Sequence, residues 1–230
     1  EPNPVGQCVL RIEQLRSNKM LNEALWHAYA ERMIDGAAAA AALACFLLLT
    51  FYFHAAPRAA GDGRVPTLVV LGSGGHTTEM LRLLGGLDAS RYGPVTLVVA
   101  ASDTTSAAKA AGMLPSDLDA TWATIPRARE VGQPFVAAVP TTLRALCAAA
   151  AVVYRARPRL VLCNGPRTCV PVAALGVVAG ARLIFVESWC RVESLSLSGR
   201  LLYPVAHRFV VHWPRLRDRY PRAEYLGRIC

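Results

Sequence analysis

Pro66-Thr67-Leu68-Val69-Val70-Leu71-Gly72-Ser73-Gly74-Gly75-His76-Thr77-Thr78-Glu79-Met80-Leu81-Arg82-Leu83-Leu84 reads as an apolar strand running through a glycine turn into a helix. Met80, Leu81, Leu83 and Leu84 recur at helical spacing, so the turn opens an amphipathic helix rather than a linker. Gly72, Gly74 and Gly75 let main-chain N–H groups approach a ligand closely. The helix adds unsatisfied N–H groups and a partial positive charge at the same point, so the stretch predicts an anion site. Its details narrow the ligand. A P-loop ends in Gly-Lys-Ser/Thr, and no lysine stands here. Thr77 occupies the place of the third glycine of the dinucleotide fingerprint, which disfavours a self-sufficient nucleotide-binding enzyme. Ser73 lies directly between two glycines, which breaks the Gly-x-Ser-x-Gly pattern of a nucleophile elbow.

Outward from the turn, apolar runs alternate with helical stretches, the pattern of βαβ units that build a parallel sheet. Further strands are expected at Val95–Ala100, Thr121–Pro126, Leu160–Cys163, Leu183–Glu187 and Arg208–Trp213, with helices at Pro134–Arg155, Cys169–Ala179 and Ser198–His207. The fold class is α/β, a Rossmann-like doubly wound parallel sheet. In such sheets ligands gather at the carboxyl ends of the strands, where Gly72–His76, Arg127, Asn164–Arg167 and Glu187–Arg191 would converge. Each cluster also has a plain reading. Asn164-Gly165-Pro166 suits a strand-to-helix turn. Arg127 lies in a stretch that reads equally as a solvated loop. Ser188 suits an N-cap, with Glu187 paired to Arg191. His76, directly after the glycines, suits a general base. Glu79, one turn later, suits a capping box or support of the site.

The 230 residues hold one medium domain and an appendage. The net charge of +9 is carried almost entirely by arginine, whose planar fork suits diphosphates or anionic lipid surfaces. Nucleic acid is disfavoured, because the arginines are dispersed between apolar runs and form no basic helical stripe. The seven cysteines, Cys8, Cys45, Cys147, Cys163, Cys169, Cys190 and Cys230, form no C-x-x-C pair and read as reduced cytosolic thiols. No metal site is expected, since Cys163 and Cys169 have no neighbouring ligands in sequence.

No charged residue lies between Asp35 and Arg58, and residues 37–56 form an apolar run about long enough to span a bilayer. Its alanine-rich half and His54 fit a buried soluble helix; the aromatics Phe51, Tyr52 and Phe53 at one end, and the linker at 57–64, favour a single transmembrane anchor. The expected organisation is an extension at 1–36, the anchor at 37–56, the linker, and a domain at 65–230. Flanking charge leaves orientation open, with Lys19 and Arg32 on one side and Arg58 and Arg64 on the other.

The segments GSGGHTTEMLRLL (Gly72–Leu84), IPRAREV (Ile125–Val131), LVLCNGPRTCVPV (Leu160–Val172), FVESWCRVESLSLSG (Phe185–Gly199) and HWPRL…YLGRI (His212–Ile229) together resemble one family. It is the membrane-anchoring subunit of the split UDP-N-acetylglucosamine transferase of dolichol-linked oligosaccharide synthesis, asparagine-linked glycosylation protein fourteen. The resemblance implies the amino-terminal half of a two-domain, GT-B glycosyltransferase, preceded by one transmembrane helix. A separate soluble subunit would bind most of the UDP-GlcNAc, and the heteromer would act on dolichol-diphosphate-GlcNAc. The site would face the cytosol on the endoplasmic reticulum membrane, without metal or cofactor.

On the same resemblance His76 is the base that takes the proton from the acceptor's 4-hydroxyl. Gly74, Gly75 and Thr77 N–H groups cradle the acceptor diphosphate with Arg127 or Arg191, and Asn164 and Glu187 meet sugar hydroxyls. Arg167 departs from the family's usual glycine. The tail that ends at Cys230 would be a docking strand for the partner. The rival expectation is a scaffold that recruits the soluble subunit and contributes no catalytic group.

Overall fold

In the computed structural model the residues described are Phe53, 63–126, 138–166, 168–227 and 229, all within the unit Phe53–Cys230. The expected extension, the anchor at 37–56 and most of the linker lie outside them, as do Arg127 and Arg167. Among the described residues no helix is long and apolar enough to cross a membrane.

The quoted stretch folds as expected. Strand β1 covers Val65–Val70 and helix α1 covers Gly75–Leu84, with Thr77, Met80, Leu81 and Leu84 turned inward. There follow β2 (Tyr92–Ala100), α2 (Ser106–Met113), β3 (Ala120–Ile125), α3 (Ala138–Ala156), β4 (Leu160–Cys163), α4 (Cys169–Val178), β5 (Arg182–Val186), α5 (Leu197–Leu202), β6 (Arg208–Val211), α6 (Pro214–Arg219) and β7 (Ala223–Tyr225). The expected strand Arg208–Trp213 stops at Val211 because Pro214 starts α6, and the expected helix Ser198–His207 is only α5.

The strands form one parallel sheet in the order β3-β2-β1-β4-β5-β6-β7. Central β1 pairs on both sides, Val70 standing opposite Val98 of β2 and Cys163 of β4. Leu68, Val69, Val70 and Leu71 are all fully buried, the continuous apolar run that a parallel strand covered on both faces requires. Edge strand β3 instead exposes Thr121, Trp122 and Thr124. Right-handed crossovers place α1 and α2 on one face and α3, α4 and α5 on the other. The core joins Met80, Leu81 and Leu84 of α1 to Val69, Leu97 and Leu162 of the sheet. On the β5–β6 side, Phe185 and Phe209 stack with ring centroids 4.9 Å apart.

The chain runs outward from β1 to β2 and β3, then returns to β4 on the other side of β1. The crevice between the carboxyl ends of β1 and β4 is therefore the topological switch point, where ligands bind in sheets of this kind. The glycine turn leaves β1 at this crevice, and Asn164 leaves β4 there.

Candidate functional site

His76 occupies the first turn of α1, held between the turns that leave β1 and β4. A Cβ on Gly72 would stand 2.9 Å from His76 Cβ and 2.8 Å from Pro166 Cβ, and one on Gly165 would stand 3.0 Å from His76 Cε1. Gly165 also has φ of +90°, a conformation that side chains disfavour. Both glycines are thus required by the close fit around one imidazole. His76 Nδ1 is buried without a hydrogen-bond partner, and no described residue hydrogen-bonds the ring. The ring is oriented by packing against the turns that leave β1 and β4.

Asn164, fully buried, joins the two turns. Its Nδ2 donates to the His76 carbonyl at 2.8 Å and to Glu79 Oε2 at 3.3 Å, while Oδ1 has no partner. Glu79 Oε1 accepts from Ser188 Oγ at 3.1 Å. The Glu79 charge also reaches His212, beyond β6. Burial pushes the His212 imidazole below its ordinary value, against the opposing pull of Glu79 and of a hydrogen bond with the Gly227 backbone. The Trp189 ring lies 5.7 Å from His212, and its carbonyl accepts from Trp213 Nε1 at 2.8 Å. Glu79 thus forms no side-chain cap of α1. Its carboxylate ties together the ends of β4 and β5 beside His76.

Glu187 directly follows β5. Its side chain is fully buried and its oxygens are engaged within the protein. Oε1 accepts from Ser188 N at 2.9 Å, and Oε2 accepts from Ser196 N at 2.9 Å and Ser196 Oγ at 3.1 Å. Burial pushes the carboxyl above its ordinary value, although hydrogen bonds from Ser196 and Ser188 and the Arg191 charge oppose that rise. The enclosed carboxyl pins the 188–196 loop. The N-cap in this region is Ser196, which accepts from Gly199 N at 2.9 Å, and not Ser188. Arg191 is exposed beyond β5, and no ion pair joins it to Glu187.

Ser73, Gly74 and Gly75 are exposed at the glycine turn. Gly74 is the N-cap of α1 with φ of +71°; no side chain caps the helix and its first turn has no acid. The helix therefore opens on exposed Gly75, while Thr77, two residues on, is fully buried. The Thr77 side chain points inward, its hydroxyl donating to the Gly72 carbonyl and meeting Ser106 Oγ at 2.6 Å. Two contributors escaped the sequence reading. Asp103 Oδ1 accepts from the backbone of Thr105 at 3.1 Å and of Ser106 at 3.0 Å, and Lys109 Nζ donates to the Gly74 carbonyl at 3.0 Å. Burial would raise the Asp103 carboxyl, but hydrogen bonds from Ser106 and Thr105 outweigh it and hold it below its ordinary value. The Asp103…Ser106…Lys109 spacing was the available signal.

Cys163 and Cys169 meet inside the fold. A hydrogen bond from one thiol to the other, together with burial, pushes Cys163 well above its ordinary value, so it is an uncharged core group. Among the described residues no cluster of His, Cys, Asp and Glu could hold a metal ion.

A family model described as "Oligosaccharide biosynthesis protein Alg14 like" matches residues 67–229. The UDP-N-acetylglucosamine transferase subunit ALG14 of Homo sapiens is 41% identical over 213 residues, covering 84% of this chain and 96% of that protein. The subunit of the same name from Schizosaccharomyces pombe is 42% identical over 171 residues, covering 70% and 81%. Among solved structures, Acinetobacter baumannii MurG superposes with a TM-score of 0.52 at 16% identity, covering 65% of this chain and 42% of that one. That likeness is one of fold, and this chain spans less than half of that structure. A UDP-N-acetylglucosamine 2-epimerase from Listeria monocytogenes gives 0.50 at 14% identity, covering 69% and 41%. With His76, Glu79 and Asn164 all inside the matched span, the chain belongs to the Alg14-like family of oligosaccharide biosynthesis proteins.

Proposed function

We propose that this chain is the membrane-anchoring, acceptor-binding subunit of a UDP-GlcNAc transferase that adds the second GlcNAc to GlcNAc-diphosphodolichol. The observation that carries the reading is His76, fixed by packing at the switch point of a sheet that spans under half of a MurG-like structure. A base at that rim needs a donor sugar delivered from outside the chain. The relatives' name, transferase subunit, supports a second, soluble subunit in that place.

In this mechanism the acceptor diphosphate rests on the N–H groups of exposed Gly74 and Gly75 at the positive end of α1, with the buried Thr77 beneath them. In this reading the acceptor's 4-hydroxyl meets His76 Nε2. The imidazole takes the hydroxyl proton as the oxygen attacks the anomeric carbon of UDP-GlcNAc, and UDP leaves with inversion in a single displacement. Asn164 and Glu79 hold the His76 turn in register, and Arg127 or Arg191 adds charge for the diphosphate. Residues 37–56 anchor the subunit in the endoplasmic reticulum membrane, with the domain on the cytosolic face.

GlcNAc transfer to a GlcNAc-diphospho-lipid is measured in membranes holding this chain, the soluble subunit, or both. Transfer only with both, lost in His76→Ala while the soluble subunit still co-sediments, supports a shared active site. Transfer that survives His76→Ala leaves a scaffold without a catalytic group, and no transfer with both subunits removes the transferase reading.

A further inference from the structure

Separate devices fix Trp189, a half-buried indole just beyond the carboxyl end of β5. Its main-chain carbonyl accepts from Trp213 Nε1 at 2.8 Å, which ties it to the turn after β6. Its ring packs on fully buried His212, 5.7 Å away between centroids, and meets the Trp213 ring edge-on at 6.1 Å. The enclosed Glu187 carboxyl accepts from Ser188 N and Ser196 N, both at 2.9 Å, and so closes the loop in which Trp189 stands. An indole fixed in this way offers a large contact area whose conformational cost is met on folding rather than on binding.

The ring stands on the Glu79 side of the rim. His212, on which it packs, feels the Glu79 charge. Ser188, its neighbour in sequence, donates through Oγ to Glu79 Oε1 at 3.1 Å. Glu79 in turn follows His76 by one turn of α1. Its carboxylate offers about four lone-pair sites; among the described residues Ser188 Oγ takes one and Asn164 Nδ2 another. No lysine or arginine among the described residues forms an ion pair with it.

A flat aromatic ring beside a carboxylate with acceptor sites to spare is suited to a pyranose. A sugar ring presents apolar C–H groups on its faces and hydroxyl donors on its edge, so it matches both groups at once. We infer that Trp189 and Glu79 form a subsite for an N-acetylglucosamine ring, an inference that rests on the transferase reading above. The indole lies against the C–H face of the sugar, and Glu79 accepts from a hydroxyl. Both substrates of the reaction contain this sugar, and the test separates them. A nucleobase would also stack on the indole, and uridine is the control for it.

The experiment uses the complex of both full-length subunits in membranes, with Trp189→Leu, Trp189→Phe and Glu79→Gln beside the parent. Leucine removes the aromatic face and phenylalanine keeps one, while the main-chain carbonyl that binds Trp213 stays in both. Trp189→Leu is expected to raise KM for one substrate about five- to tenfold, with kcat nearly unchanged and most of the loss restored in Trp189→Phe. Glu79→Gln, which gives up half of the acceptor sites, should raise the same KM. A rise confined to the GlcNAc-diphospho-lipid assigns the acceptor's sugar to the subsite, and one confined to UDP-GlcNAc assigns the donor's. The difference in tryptophan emission between the solubilised parent complex and Trp189→Phe reports Trp189 without turnover, and millimolar N-acetylglucosamine should shift it. Unchanged KM values in either Trp189→Leu or Glu79→Gln overturn the inference. An equal rise for both substrates, or a fall in kcat alone, marks a structural role and overturns it too. An emission shift given by uridine and not by N-acetylglucosamine overturns it in favour of a nucleobase. A parent complex that transfers no GlcNAc removes the transferase reading, and the emission titration then decides the sugar subsite by itself.

Discussion

Asn164 Nδ2 donates to the main-chain carbonyl of His76 at 2.8 Å, a bond across 88 residues that fastens the end of β4 to the first turn of α1. It fixes the backbone of the proposed base while packing against Gly72 and Gly165 fixes the ring. Asn164→Asp places a carboxylate against the His76 carbonyl and the Glu79 carboxylate, so two attractive contacts become repulsive. The expected result is a loss of about 2–3 kcal/mol of stability and a fall in kcat larger than in Asn164→Ala. Chemical denaturation and transfer kinetics of the complex check both, and an Asn164→Asp protein as stable as the parent would refute the role given to this bond.

Substitution of the base itself separates chemistry from assembly. His76→Ala is expected to lower kcat about 10²–10⁴-fold, the range for loss of a general base, with recruitment of the soluble subunit intact. Parallel activity and co-sedimentation measurements decide the matter.

Gly165→Ala tests the packing around the imidazole. The added Cβ would meet His76 Cε1 at 3.0 Å in a backbone of φ +90°. Conformational strain of about 1–2 kcal/mol should lower the melting temperature, and the displaced ring should lower kcat more than it raises acceptor KM. Full activity with an unchanged melting temperature would remove the argument from fit.

Glu187→Gln puts an amide N–H₂ among the N–H and O–H donors of Ser188 and Ser196. The mismatch is expected to cost about 2 kcal/mol, roughly 5 °C in melting temperature for a domain of this size. Acceptor KM should move little, because the carboxyl is enclosed; a large change in KM at constant stability would return Glu187 to the sugar site.

Protonation of His212 gives a signed pH effect. Burial lowers its folded value beneath the ordinary 6.5, so between those two values the unfolded chain binds the extra proton. Stability from this group is complete above about pH 6.5 and is lost as pH falls toward the folded value. Glu187, raised by burial, acts in the opposite sense: its contribution is fully present below its ordinary value and lost as pH rises through the raised one. Comparison of the parent with His212→Gln cancels that background. The stability difference between the two should change as pH drops from about 7.5 to about 5, in the direction of relative loss for the parent; parallel curves would assign the acid sensitivity elsewhere.

The sequence by itself determined the parallel sheet, the glycine turn and the conspicuous residues on the rim. Those signals are local: continuous apolar runs for strands buried on both faces, helical periodicity after Gly75, and glycines where the chain turns sharply. Helix α2 was not legible, because Ser106–Met113 is built from small residues with little apolar periodicity, and Lys109 was missed with it. Short α6 and β7 give too few residues for a pattern to emerge.

Only the tertiary structure decided what each rim residue touches. Glu79 and Glu187 are both acids near strand ends or helix starts, alike in sequence. One reaches across the rim to Asn164 and Ser188, while the other is sealed beneath the 188–196 loop and pushed upward by burial. Composition and spacing carry no account of desolvation or of contacts between residues a hundred positions apart. Those are set when the sheet order brings β1 and β4 side by side, and with them His76 and Asn164.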